Sequence, residues 1–129
     1  MASDLMFILP YQPGTLWRLT EAVANAGISV DGCSFQEFGP EGMIHLMVED
    51  AAGARAAAEQ AGFRLSSQRD VVVAPVQHRP GALAELLRPV ADAGVSVDLV
   101  YLTRDGRAVI GVAPEELERA RTAVGAVAG

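Results

Sequence analysis

An α+β fold, with antiparallel sheets that each carry their helices on one face, is predicted by three features of these 129 residues. Pro13-Gly14-Thr15-Leu16 recurs as Pro80-Gly81-Ala82-Leu83, and the same spacing of 67 residues persists through Ser29-Val30-Asp31 and Ser96-Val97-Asp98. Within each copy apolar residues alternate, then recur at steps of three and four, then alternate again, which is the signature of strand, helix and strand. Gly27 and Gly94 close the two helical runs, as suits the left-handed residue just past a helix end.

The elements follow in order. Leu5, Phe7 and Leu9 alternate with Met6 and Ile8 as a first strand, interrupted by Gln12-Pro13-Gly14. Leu16, Leu19, Val23 and Ala26 mark a helix, and 28–38 reads as a second strand. Gly39-Pro40-Glu41-Gly42 is a turn and 43–48 a third strand. The Ala-rich run 51–61 is a second helix ended by Gly62, with a short fourth strand over 63–67. The second copy runs through a strand at 71–76 and a helix marked by Leu83, Leu86, Leu87 and Val90. A strand follows over 95–101, then the hairpin signal Asp105-Gly106 and a strand at 108–112. Pro114-Glu115-Glu116 starts the last helix, since proline tolerates the first position and acids favour the positive end of the dipole. The order is β-α-β-β-α-β and then β-α-β-β-α, the ferredoxin-like pattern twice, the second copy lacking its last strand. The predicted boundaries are 1–69 and 70–129.

Two consequences concern association. Ile44, Leu46 and Val48 alternate with Met43, His45 and Met47, so the face away from the helices is also largely apolar. Such patches mark interfaces, and a second sheet or a partner chain is expected to cover it. The missing strand leaves an edge open to pairing, so a homodimer, or an intimate association of the two copies, is expected.

Composition excludes several function classes. The formal net charge is −6 and the ten basic residues form no stripe, which argues against nucleic acid. Cys33 is the only cysteine, so no intrachain disulfide forms and no Cys/His cluster has metal-ligand spacing. Neither a signal peptide nor an apolar run of membrane-spanning length is evident, and a cytoplasmic protein without membrane association is expected. No paired general acid and base, phosphate loop or metal cluster is seen, so no enzyme, no catalytic residue and no cofactor is expected. Cys33 has no adjacent His, and Trp17 and His45 are read as packing residues.

The Pro13-Gly14-Thr15-Leu16 turn with Gly27-Ile28-Ser29-Val30, repeated as Pro80-Gly81-Ala82-Leu83 with Gly94-Val95-Ser96-Val97, resembles the ACT domain, twice and over almost the whole chain. Gln12 and the pair His78-Arg79 stand where that family often carries a short polar stretch. The resemblance implies a free-standing tandem member of regulatory type, sensing amino acids at interfaces between paired modules. Ser29 and Ser96 occupy the position where ligand-binding members often carry Asn; a hydroxyl can still donate and accept.

The chemistry of a ligand site follows from the turn. The first N–H groups of a helix lack intrahelical partners and the dipole there favours negative charge, so a carboxylate can bind. Gly14, Thr15 and Leu16 are the candidate donors in the first copy, and Gly81, Ala82 and Leu83 in the second. Asp31 and Asp98 are the candidate acceptors for an ammonium group. The predicted function is a non-catalytic sensor of a small molecule, an amino acid, at the turns or at the module interface. The alternative is an assembly module that docks on a metabolic enzyme without a ligand; a small enzyme ranks last.

Overall fold

The computed structural model describes residues 2–128, which divide into two compact units: Ser3–Arg69, and the rest of the described chain. The first contains β1 (Ser3–Pro10), α1 (Thr15–Asn25), β2 (Val30–Phe38), β3 (Glu41–Val48), α2 (Ala51–Gln60) and β4 (Leu65–Asp70). Its sheet has the order β2-β3-β1-β4. The second contains β5 (Val72–Pro75), α3 (Ala82–Asp92), β6 (Val97–Leu102), β7 (Arg107–Val112), a 3-10 turn (Pro114–Glu116) and α4 (Leu117–Ala128). Its sheet, β5-β7-β6, repeats the first without a counterpart of β4 among the described residues. Each module is therefore the predicted ferredoxin-like fold, the second with three strands. Only Val71 separates β4 from β5.

Strand alternation decides which residues meet the helices. Leu5 lies opposite Leu46 and Phe7 opposite Ile44, and these side chains pack with Leu19 and Val23 of α1 and with Ala54 and Ala58 of α2. The two buried alanines add little bulk, which lets α2 lie close to the sheet. Asp50 starts α2, its carboxylate accepting the Gly53 N–H at 2.9 Å and so satisfying one orphan donor. Phe63, expected in the fourth strand, instead fills this core, and that strand begins at Leu65. In the second module Val72 faces Ile110 and Ala74 faces Ala108, under Leu86, Val90, Ala120 and Val124. Arg119 of α4 donates to the Ala93 carbonyl at the end of α3. The expected start of the last helix takes a different form: Pro114-Glu115-Glu116 is a 3-10 turn, and the α-helix begins at Leu117.

The face of the first sheet away from its helices holds a polar pair that the sequence does not announce. Asp4 of β1 is fully buried, and its Oδ2 lies 2.7 Å from Nδ1 of His45 on β3. His45, expected to be structural, thus has a carboxylate partner among methionines.

The repeat is not uniform. The spacing of 67 residues holds through β2 and β6, but Phe7 pairs with Ile44 whereas Ala74 pairs with Ala108, a spacing of 64 residues. The hairpin β6–β7 is therefore three residues shorter than β2–β3.

Candidate functional site

Each Pro-Gly pair forms the corner of a β-turn. The Gln12 carbonyl accepts the Thr15 N–H at 3.3 Å, with Gly14 at φ 90° and ψ −14°. The Arg79 carbonyl accepts the Ala82 N–H at 3.2 Å, with Gly81 at φ 86° and ψ −10°. Proline second and a left-handed glycine third define a type II turn. The turn closes on itself, which corrects the expected donor set: the N–H groups of Thr15 and Ala82 are spent on it. The next bonds of the helices start from Arg18 to Gly14 and from Glu85 to Gly81, both 2.9 Å. Gly14, Leu16 and Trp17 in the first module, and Gly81, Leu83 and Ala84 in the second, are left with N–H groups that have no partner among the described residues. Neither helix has a side-chain cap. The Thr15 hydroxyl is also used within the turn, donating to the Pro10 carbonyl at 2.6 Å with the Gln12 carbonyl at 3.0 Å.

The other expected residues do not join the turn within a module. Ser29 and Asp31 follow α1, and Ser96 and Asp98 follow α3; an 11-residue helix spans about 16 Å, more than a small ligand can bridge. Asp31 and Asp98 have a backbone role of the same kind. Each stands where the register of its strand shifts, between Val30 and Gly32 and between Val97 and Leu99, so each is the extra residue of a β-bulge.

The two turns differ in what surrounds them. In the first module the β1–β3 ladder continues past Pro10, and the Tyr11 N–H bonds the Pro40 carbonyl at 2.9 Å. In the second the corresponding contact ends two residues earlier, at Val76 N–H to the Gly106 carbonyl, 2.9 Å. The segment after Val76 leaves the hairpin, and a groove of about 680 Å³ lies there. One wall is Val76, Gln77, His78, Arg79, Pro80 and Leu83; the other is Leu102, Thr103, Arg104 and Gly106 of the hairpin. The hairpin wall is absent from the residues picked by sequence. Asp105-Gly106 signals the hairpin but not that its flank faces the Pro-Gly turn.

The charges near this groove sort into two sets. Arg79 is held by Glu85, with Nη2 to Oε2 at 2.6 Å and Nη1 to Oε1 at 3.2 Å, and its Nε donates to Gln77 at 2.8 Å. The hydrogen bonds and charge of Arg79 hold the Glu85 carboxyl below its usual range, and Glu85 raises Arg79 in return. Asp105 accepts from the Thr103 hydroxyl at 2.5 Å and from Arg107 Nε at 2.9 Å, and these bonds lower its pKa. Both nearby carboxylates are thus engaged, and neither lines the groove. His78, Arg79 and Arg104 line it as basic residues. A larger groove, about 880 Å³, follows the flank of α3 past Pro75, Leu86 and Pro89. Its charged rim consists of Arg79 with Glu85 and Arg88 with Asp92, which satisfy each other at 2.6 and 3.2 Å. That groove offers little that is directed at a ligand.

No family profile and no curated protein matches the chain. Solved structures do. The fold is similar to that of a protein from Bacteroides thetaiotaomicron at 24% identity and a TM-score of 0.82, covering 97% of this chain and 87% of that one. It is also similar to the regulatory subunit of aspartate kinase from Thermus thermophilus, at 26% identity and a TM-score of 0.65, over 97% of this chain and 89% of that one. The corresponding subunit from Thermus flavus matches at 24% identity and a TM-score of 0.65, over 97% and 90%. Two ferredoxin-like modules, each entered through a Pro-Gly turn, place the chain among tandem ACT-domain proteins. The match spans nearly the full length of both this chain and the kinase regulatory subunits.

Proposed function

We propose that this protein is a non-catalytic regulatory sensor of a small molecule of the amino-acid type, bound at the Pro-Gly turns. The observation that carries this reading is the groove beside the Pro80-Gly81 turn, lined by Leu83 with its unpartnered helix N–H, by the basic residues His78, Arg79 and Arg104 and by apolar side chains. A ligand carboxylate would take the N–H group of Leu83, with the basic residues of the groove beside it. Gln12, Pro13, Gly14 and Leu16 form the weaker counterpart in the first module. Ser29, Asp31, Ser96 and Asp98 would complete a site only by approaching a turn from another module. We place the protein in the cytoplasm as a homodimer, its modules taken as 1–69 and 70–129.

Thermal unfolding with each common amino acid at millimolar concentration tests the reading. A ligand at one hundred times its Kd stabilises by about 2.7 kcal/mol, a readily measured rise in Tm. A flat response across the whole set would reject amino-acid sensing. The similarity to aspartate kinase regulatory subunits also supports a second reading, docking on a metabolic enzyme of that kind. Co-sedimentation with such a kinase, unaffected by any amino acid, would favour it.

A further inference from the structure

We propose that Phe35 closes the first Pro-Gly turn to ligand, and that the side chain at this one place, Phe35 in the first module and Leu102 in the second, decides which module binds. This rests on the reading that the Pro80-Gly81 turn is a ligand site, and it names what confines binding to that turn.

The two residues hold the same position in their modules. Phe35 lies opposite Ile44, whose other neighbour is Phe7, and Leu102 lies opposite Ala108, whose other neighbour is Ala74. Both therefore stand on the helix side of an outer strand. Three residues that line the groove of the second module have counterparts as well: Val76, Leu83 and Gly106 answer to Leu9, Leu16 and Gly42. The pairing agrees, since Leu9 lies opposite Gly42 and the Val76 N–H bonds the Gly106 carbonyl.

What covers the two glycines differs. The Phe35 ring rests on Gly42, where a Cβ would fall 2.6 Å from two of its carbons. Carbon atoms pack at about 3.5–4.0 Å, so the ring holds the surface over Gly42 and excludes any other group from it. A Cβ at Gly106 would have, beyond its chain neighbours, only the Val76 carbonyl oxygen within 4 Å, at 3.8 Å. Leu102 is 55% exposed against 36% for Phe35, so its side chain stands out to solvent and leaves Gly106 open to the groove. The residues beside the glycines follow suit: Leu9 is buried, whereas Val76 is half-buried.

Titration of the isotope-labelled whole protein with each common amino acid in turn, read at the amide resonances of Leu16 and Leu83, tests this. An amino acid that binds should move Leu83 and leave Leu16 in place. Leu102→Phe should weaken the response at Leu83 about tenfold or more, by filling the groove with a ring. Phe35→Leu should bring a saturable response at Leu16 and leave that at Leu83 unchanged. Phe35 is partly exposed, which favours folding of that variant; if it does not fold, the Leu102→Phe arm decides alone. A Leu83 response indifferent to Leu102→Phe, a Leu16 response in the unaltered protein, or a silent Leu16 in folded Phe35→Leu protein would overturn Phe35 as the closing residue while leaving the second turn a ligand site. A Leu83 resonance that no amino acid moves would remove the ligand site, and this proposal with it.

Discussion

Gly81 holds φ 86° and Gly14 φ 90°, a conformation that costs a side chain about 1–2 kcal/mol. A Cβ at either position would meet nothing within 4 Å, so the cost is purely one of backbone conformation. Gly14→Ala and Gly81→Ala should each lower stability by about 1 kcal/mol in urea unfolding, without changing the slope. Thr15 is a sharper case. Its buried hydroxyl ties the turn to Pro10, and Thr15→Val should cost about 1 kcal/mol. The second module has Ala82 at that place and does without the bond. Asp4 supports His45 from a fully buried position. His45→Ala should destabilise by roughly 3 kcal/mol, as expected when one member of a buried pair is removed, and more than Asp4→Ala, because it leaves the fully buried carboxylate behind rather than the partly exposed imidazole. No local pattern could reveal this pair. Its members are 41 residues apart, and only the register of β1 on β3 makes them neighbours.

At the scale of elements, helices and strands were legible because each writes its own period. Leu19 and Val23, or Leu86 and Val90, are core residues in the structure as in the pattern. Element ends were less legible where tertiary packing decided them, as with Phe63, whose side chain left the fourth strand for the core. The candidate site was half legible. The Pro-Gly side is a local motif, whereas the hairpin wall comes from residues some twenty positions later and depends on where a ladder stops. The β6–β7 hairpin and the Arg79–Glu85 pair at the start of α3 also predict a pH response. Asp105 and Glu85 have pKa values below their unfolded values, so their contribution to stability is present above the unfolded carboxylate range and is lost as pH falls through the folded values. Tm should therefore decline on acidification below about pH 4, and the Asp105→Asn, Glu85→Gln double variant should show a shallower decline. Both groups are exposed, so the effect should be small and weaken in high salt.

For the whole molecule, the repeat supplies two turns, and the sequence already sets them in different surroundings. The grooves described both belong to the second module, and the basic residues His78 and Arg79 correspond to Tyr11 and Gln12 in the first. Titration with a bound ligand should give one site per chain; a stoichiometry of two would show that the first turn binds as well. Sedimentation should find a dimer at micromolar concentration if the apolar sheet faces and the open edge of the second sheet serve association. The shortened hairpin of the second module has a bearing on descent. The Pro-Gly corner is demanded by the backbone, so every copy of a duplicated module must keep it, whether or not anything binds there. Three residues of hairpin are under no such obligation. A lineage could give one twin a mouth and deny it to the other by trimming that loop, with the signature by which the modules are recognised left untouched. Hairpin length, read beside the motif, is then the character that would sort such proteins by what they bind.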